Sequence, residues 1–121
     1  MPHNIAVSED GSHIVVTVTG NVTRESAILF NTDAILACTR AGLNRILVDL
    51  IDARNVENPT ENYLFANRDV FTLEIDLTNR VALLVSPGDH SHDFVETVSK
   101  NAGLNVTLFR DRVEALAFLR A

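Results

Sequence analysis

The sequence predicts a single α/β domain that spans residues 1–121 and has the element order ββαβαβαβα. After a β-hairpin, strands and helices alternate to the end of the chain, which implies parallel strands joined by right-handed crossovers. The strands at 46–48 and 81–85 are apolar without a break, as is typical of strands covered on both faces. We therefore expect a five-stranded, mixed, mostly parallel sheet with helices on both faces. Its first strand should be antiparallel and lie at or near an edge.

The first half of the chain contains a hairpin, a long helix and a buried strand. A polar turn that includes Gly11 separates the first two strands, and the second of these is β-branched almost throughout. Thr23 is a typical N-cap residue, and Gly42 is a typical helix stop. The predicted elements are strands at 5–7 and 13–20, a helix at 24–40, a strand at 45–50 and a polar loop at 52–58.

The second half begins with a strong helix start at Asn58-Pro59-Thr60-Glu61. Its asparagine can cap the first amides, proline suits the first turn, and an acid is favourable at the third position. This second helix is predicted to end near Glu74. Asp111-x-x-Glu114 is a similar start for the closing helix. The remaining predicted elements are a strand at 81–85, a turn at 86–89, a third helix that stops near 103, and a strand at 105–109.

Composition excludes several classes of partner and compartment. The net charge is −6, and no run of Lys or Arg exceeds one residue, so we expect neither nucleic acid nor anionic membranes as electrostatic partners. The N-terminal residues do not resemble a signal peptide, and no apolar run approaches the length of a transmembrane segment. The single cysteine, Cys38, excludes an internal disulfide and suits a reducing compartment. We therefore predict a cytoplasmic protein.

Polar residues follow several predicted strands, where functional groups of open α/β sheets gather. A histidine base oriented by Asp52 or Asp89 is the enzymatic alternative. However, no Ser or Cys stands at a sharp elbow, and no Gly-rich phosphate loop is present. We therefore predict no catalytic residue and no cofactor, with Asp52 and Arg54 holding their loop and Asp89 capping the third helix. The positions considered are Asn21, Asp52, Arg54, Asp89, His90, His92 and Arg110.

The histidine pair does not suggest a metal site, and the cysteine does not suggest a nucleophile. On a helix, His90 and His92 would diverge, and no third ligand is evident, so we predict exposed histidines and no metal site. Cys38 lies near the C-terminus of its predicted helix, where the dipole disfavours a thiolate. We expect it to be a buried core thiol.

Five motifs indicate an ancestry. They are Val18-Thr19-Gly20, Ile46-Leu47-Val48-Asp49 followed by Asp52-Ala53-Arg54, Val81-Ala82-Leu83-Leu84-Val85, Asp93-Phe94-Val95-Glu96-Thr97-Val98, and Phe109-Arg110-Asp111 with Glu114-Ala115-Leu116. With these motifs and this order of elements, the chain resembles the SpoIIAA-like family, the bacterial branch related to STAS and CRAL-TRIO domains. The resemblance covers nearly the whole length, and its motifs specify ancestry better than activity. It implies a small non-enzymatic module, often dimeric, that signals to a protein or binds a lipophilic molecule.

The signalling branch of the family requires a particular residue, and its presence can be checked in the sequence. Anti-sigma factor antagonists present a phosphorylatable Ser or Thr, usually beside an Asp, at the start of the second helix. In this chain residues 52–60 contain no serine, and Thr60 is the only hydroxyl, inside the first helical turn. The alternative function is therefore a STAS-type protein-binding regulatory module without a clear phosphorylatable serine. Its regulatory loop would comprise Asp52, Arg54 and Thr60.

The second helix is more apolar than packing on a sheet requires. A 3.6-residue wheel gives two apolar stripes, and the second must be covered by the third helix, a dimer partner or a ligand. Burial by Phe94 and Val98 of the third helix is the ordinary alternative. The stripes are Tyr63, Ala66, Val70 and Leu73, and Leu64, Phe71 and Ile75, separated by Asn67 and Glu74, with Phe65 apart from both.

These observations lead to one main hypothesis. The chain is a non-enzymatic, homodimeric SpoIIAA-like domain that binds a lipophilic small molecule or associates with a membrane through its second helix. Tyr63, Leu64, Phe65 and Phe71 are the predicted ligand contacts, and they would act by apolar burial.

Overall fold

The computed structural model describes residues 3–73 and 78–121, and all statements below concern these residues. The elements are β1 (His3–Val7), β2 (Ile14–Val22), α1 (Arg24–Ala41), β3 (Arg45–Asn55), α2 (Pro59–Leu64), a π-helical turn (Phe65–Asp69), α3 (Val70–Thr72), β4 (Arg80–Leu84), α4 (Asp93–Asn101), β5 (Asn105–Phe109) and α5 (Arg112–Arg120). Within the described residues they form a five-stranded sheet in the order β1-β2-β3-β4-β5. The strand β1 is antiparallel to β2, and the other neighbouring pairs are parallel. The predicted fold class, with its antiparallel edge strand, is confirmed.

The central strands β2 and β3 are longer than predicted. Their parallel pairing continues past a register shift at Thr17/Thr19 and joins Gly20 with Ala53 and Asn21 with Arg54. Asn21, Asp52 and Arg54 therefore lie in strands, and the prediction that 52–58 is a loop is wrong up to residue 55. Each strand supplies the other with backbone partners, so pairing extends through residues whose polar side chains predict a loop.

The ends of α1 follow the predicted capping residues. The Thr23 side chain accepts a hydrogen bond from the Ser26 amide, and the Ser26 hydroxyl accepts one from the Thr23 amide, which completes a capping box. Gly42 ends the helix at φ 68°, a left-handed conformation that favours glycine. Asp111 likewise caps α5 by accepting from the Val113 amide.

The two faces of the sheet carry different layers. Along β3, Val48 faces the layer built by α1, residues 59–72 and α4, whereas its neighbour Leu47 faces α5. The α5 layer is compact, because Ala82 of β4 and Ala115 of α5 are fully buried and let the helix lie close to the sheet. The larger core is on the opposite face, beneath the other helices.

The free edge of β5 is bound by a side chain of the neighbouring helix α4. The Leu108 amide donates to Glu96 Oε2 over 2.6 Å. Lys100 Nζ lies 3.1 Å from the same carboxylate oxygen and keeps this group partly neutralised. An outward-facing backbone donor of the edge strand is thereby satisfied within the chain.

Candidate functional site: an apolar cavity under the second helical segment

A cavity of about 90 Å³ lies between the sheet and the helices of its larger layer. Its floor is formed by alternate residues of β3 and β4, which point to the same face of the sheet. Its walls come from α1, residues 59–72 and α4. The main apolar lining residues are Ala27, Phe30, Leu50, Phe65, Val70 and Val81, and the polar ones include Asn55, Asn62, His92 and Ser99.

A π-helical turn determines which side chains of residues 59–72 reach the cavity. The segment starts as predicted, with the Asn58 side chain accepting from the Glu61 amide. The Val70 amide then donates to the Phe65 carbonyl, which spaces these two residues five apart on one face. Both side chains are buried and line the cavity. A π turn is often found at functional sites, because it inserts an extra residue into the helix.

The π turn also changes the first of the two predicted stripes, of which Ala66 and Val70 are buried as expected. A regular helix would have left Phe65 apart from both stripes and placed Tyr63 with Ala66 and Val70. Instead Phe65, Ala66 and Val70 are buried together, and Tyr63 is exposed. The extra residue rotates everything that follows it by about a quarter turn relative to a 3.6-residue wheel. Helix α3 ends at Thr72, and the predicted positions Glu74 and Ile75 lie outside the described residues.

The four predicted ligand contacts occupy different environments. Phe65 is 9% exposed and lines the cavity. Leu64 is half-buried. Tyr63 and Phe71 are 54% and 43% exposed on the outer surface, where Phe94 of α4 is also exposed. The structure therefore separates one inward-facing aromatic residue from two that face solvent.

A cluster of four charged residues ties the second helical segment to the start of α1. Arg24 Nε and Nη2 donate to the two carboxylate oxygens of Asp69 over 2.6 and 3.0 Å, and Nη1 donates to Glu61 over 3.0 Å. The Arg24 amide donates to Glu57 Oε2. Hydrogen bonds from Arg24 lower the pKa of Asp69 despite its partial burial. We call Arg24, Glu57, Glu61 and Asp69 the Arg24 cluster, and sequence reasoning did not find it because its members are up to 45 residues apart.

At the carboxyl end of β3, the polar wall of the cavity is held by side-chain amides. Asn55 Nδ2 donates to Asn62 Oδ1 over 2.9 Å, and Asn55 Oδ1 accepts from the Glu57 amide. The backbone amide of Asn55 donates to Ser91 Oγ. These bonds join β3, α2 and the turn before α4 at one end of the cavity.

His92 is buried at this same end, which corrects the prediction of an exposed histidine pair. Its side chain is 2% exposed, and its Nε2 lies 3.1 Å from the Ala53 carbonyl oxygen and 3.5 Å from Asp89 Oδ2. It lies in the turn before α4 rather than within a helix, and the longer β3 supplies its carbonyl partner. His90 is exposed as predicted and contacts Asp93.

Asp89 does not cap α4, contrary to prediction. Its Oδ1 accepts from the Ser91 amide within the turn, whereas the N-cap position of α4 is His92, without a side-chain cap. Burial raises the pKa of Asp89, but hydrogen bonds from Ser91 and the nearby charge of Arg54 outweigh it and lower the pKa below its ordinary value. Asp89 is therefore an anion that orients the His92 ring.

The remaining candidates are Cys38 and the three residues of the predicted regulatory loop. Cys38 is buried, as predicted, and burial raises the pKa of its thiol. Asp52, Arg54 and Thr60 are exposed, and Arg54 Nη1 lies 3.9 Å from Asp89. In the part of the chain that the structure describes, no group of three or more His, Cys, Asp or Glu side chains is placed to hold a metal ion.

Comparison with known proteins supports the fold assignment. The chain is similar to a crystal structure of an uncharacterised protein of the DUF3478 family with a SpoIIAA-like fold, from Shewanella loihica PV-4. The TM-score is 0.57 and the identity 17%, over 98% of this chain and 92% of that chain. The chain therefore has a SpoIIAA-like fold. No protein-family model and no curated protein matches it. Of the helices described, none combines the length and apolarity needed to cross a bilayer.

Proposed function

We propose that the chain is a non-enzymatic cytoplasmic binding module that holds a lipophilic small molecule between its sheet and residues 59–72. The observation that carries the proposal is the cavity beneath the π turn, with Phe65 and Val70 in its wall. A well-packed interior leaves few voids larger than a water molecule, so an apolar space of this size departs from ordinary packing. Apolar cavities stay dry and accept apolar molecules.

The size of the cavity limits what can enter without movement. Its volume of about 90 Å³ suits a small ring or one branch of a larger molecule. A longer ligand requires residues 59–72 to move away from α4. The Arg24 cluster lies at the start of α1 and holds this segment by ionic contacts, each of which contributes little net free energy where it is open to solvent.

The two exposed aromatic residues of the second helical segment have a different role from Phe65. Tyr63 and Phe71 do not line the cavity, so we assign them to homodimerisation or membrane contact rather than to the ligand itself. Replacing both with Ser should weaken self-association and leave ligand retention unchanged. Analytical ultracentrifugation measures the first property and mass spectrometry the second.

The test is mass spectrometry of freshly purified protein under native and then denaturing conditions. An excess mass that is released on denaturation is the expected result. Val70→Phe should remove the excess mass, because the larger ring fills the cavity. Val113→Phe is the matched control, since Val113 is highly exposed on α5. Absence of any excess mass under native conditions contradicts the proposal.

The alternative is a STAS-type regulatory module that binds a protein partner. Its support is that Asp52, Arg54 and Thr60 are all exposed, the first two near the end of β3 and Thr60 in the first turn of α2. However, Glu57 and Glu61 flank Thr60, and their charges would oppose a phosphate there. A partner kinase that binds the chain and loses affinity for Thr60→Glu would favour this module over the ligand-binding one.

A further inference from the structure

Arg24 borders two neighbouring spaces, the apolar cavity and an open depression on the protein surface. The depression lies between the start of α1 and the start of α2. Its lining residues are Arg24, Glu25, Ile28, Glu57, Asn58 and Glu61. Among the described residues, Arg24 alone belongs to the lining of both spaces. Its side chain therefore stands between the cavity and solvent at this point.

Arg24 also differs chemically from the rest of the cavity wall. Of the described lining residues, it is the single one that is Asp, Glu, Lys or Arg. An arginine can lay its apolar stem along an apolar wall while its guanidinium group stays paired or hydrated. Here the guanidinium group donates to Asp69 and Glu61, and the Glu61 side chain is 36% exposed. The charged group is thus held at the wall by contacts that water can reach.

Other parts of the cavity wall are more costly to open. On the sheet side, Leu50 and Val81 are almost fully buried, so parting them from the helices would expose apolar surface to water. At the carboxyl end of β3, the hydrogen bond between Asn55 and Asn62 joins the strand to α2, and buried polar groups are costly to leave unpaired. By contrast, water can replace the partners of Arg24, because ion pairs near solvent contribute little net free energy. The Arg24 side chain is therefore the part of this wall that moves most easily.

We infer that the Arg24 side chain is the gate through which a lipophilic molecule enters and leaves the cavity. When the guanidinium group leaves Asp69 and Glu61, the side chain turns into the open depression, and the cavity then connects with solvent beside α1. When the ionic contacts re-form, the side chain closes this route again. The inference rests on the proposed function, because it specifies how the ligand of this same cavity is exchanged.

Exchange of a small apolar ring, fluorobenzene, tests the inference. Titration followed by ¹⁹F NMR gives its Kd, and ¹⁹F relaxation dispersion gives the rate constants of binding and release. The test variant combines Asp69→Asn with Glu61→Gln, which removes both carboxylates and leaves every described cavity-lining residue unchanged. A gate sets the rates of exchange and not the equilibrium. Both rate constants should therefore rise roughly fivefold, while Kd stays within about twofold of the wild-type value.

Two further variants complete the test. Asp49→Asn is the matched control, because it removes the carboxylate that lies 3.0 Å from Arg112 of α5, on the other face of the sheet. It should leave both rate constants at their wild-type values. Asp69→Asn alone should raise both rate constants by a smaller factor, which keeps the test available if the double variant does not fold.

The outcomes separate the gate from the cavity. Unchanged rate constants in the folded variants, or faster release with unchanged binding, overturn the inference and leave the proposed function standing. Failure of fluorobenzene to bind the wild-type protein also overturns the inference. Absence of an excess mass in the purified protein overturns the proposed function as well.

Discussion

The two faces of the sheet are covered by helices in different ways. On one face, α5 lies against Ala82 and Leu84 through Ala115 and Leu119, all of which are almost fully buried. On the other face, three helical pieces meet above the sheet and leave a cavity between them. The single helix packs closely where Ala82 and Ala115 are small, whereas the three helical pieces of the other face leave volume that side chains do not fill. The second arrangement retains the cavity.

Truncating a buried leucine should distinguish the two faces most strongly. Leu84→Ala on the α5 face should lower the free energy of unfolding by about 4–5 kcal/mol, because the compact layer cannot collapse into the space. Leu50→Ala beside the cavity should cost only about 2–3 kcal/mol, since Leu50 already lacks neighbours on one side. Urea unfolding of both variants measures the difference. Equal costs would mean that the two faces are packed alike.

Enlarging neighbouring residues of β4 should give effects of opposite sign. Ala82→Val adds volume where α5 touches the sheet and should destabilise the protein by about 1–3 kcal/mol. Val81→Ile adds a methyl group on the cavity side and should be neutral or stabilising by up to about 1 kcal/mol. Thermal unfolding of the two single variants tests this, and a loss of stability in Val81→Ile would show that the cavity is not available to side chains.

Lowering the pH should reduce the free energy of unfolding by weakening the Arg24 cluster on the cavity side of the sheet. This effect should be the smallest of the three predicted effects on stability. The folded-state pKa of Asp69 is lowered, so its ionised form contributes stability above the unfolded pKa of about 4. That contribution is lost as the pH falls from about 4 through the folded-state value. Asp69→Asn should therefore be less stable than wild type at pH 7, and the difference should shrink below pH 4. Denaturant unfolding from pH 7 to pH 2 measures it, and a difference that is independent of pH would contradict the assignment.

Local signals predicted most of the fold. Thr23, Gly42, Asn58 and Asp111 mark helix ends because each supplies a backbone conformation or a hydrogen bond that a helix terminus needs. The alternation of strands and helices likewise predicted the parallel sheet. These features depend on residues a few positions apart, so one sequence contains the information.

The candidate site was only partly predictable, because long-range contacts determine it. Phe65 was a predicted ligand contact and lines the cavity, yet the π turn that brings it there has no recognisable sequence signal. His92 was expected at the surface, because the extension of β3 that buries it arises from pairing with β2. The Arg24 cluster likewise depends on the approach of α1 and residues 59–72 in three dimensions.

The carboxylate of Glu96 at the edge of the sheet has a consequence for how copies of this chain can meet. An edge strand with free amides is a template for addition of a strand from another chain and hence for polymerisation. At β5 the Leu108 amide is already bound by Glu96, so an incoming strand would have to displace a charged group from its partner. Merging two sheets into one through β5 is therefore costly.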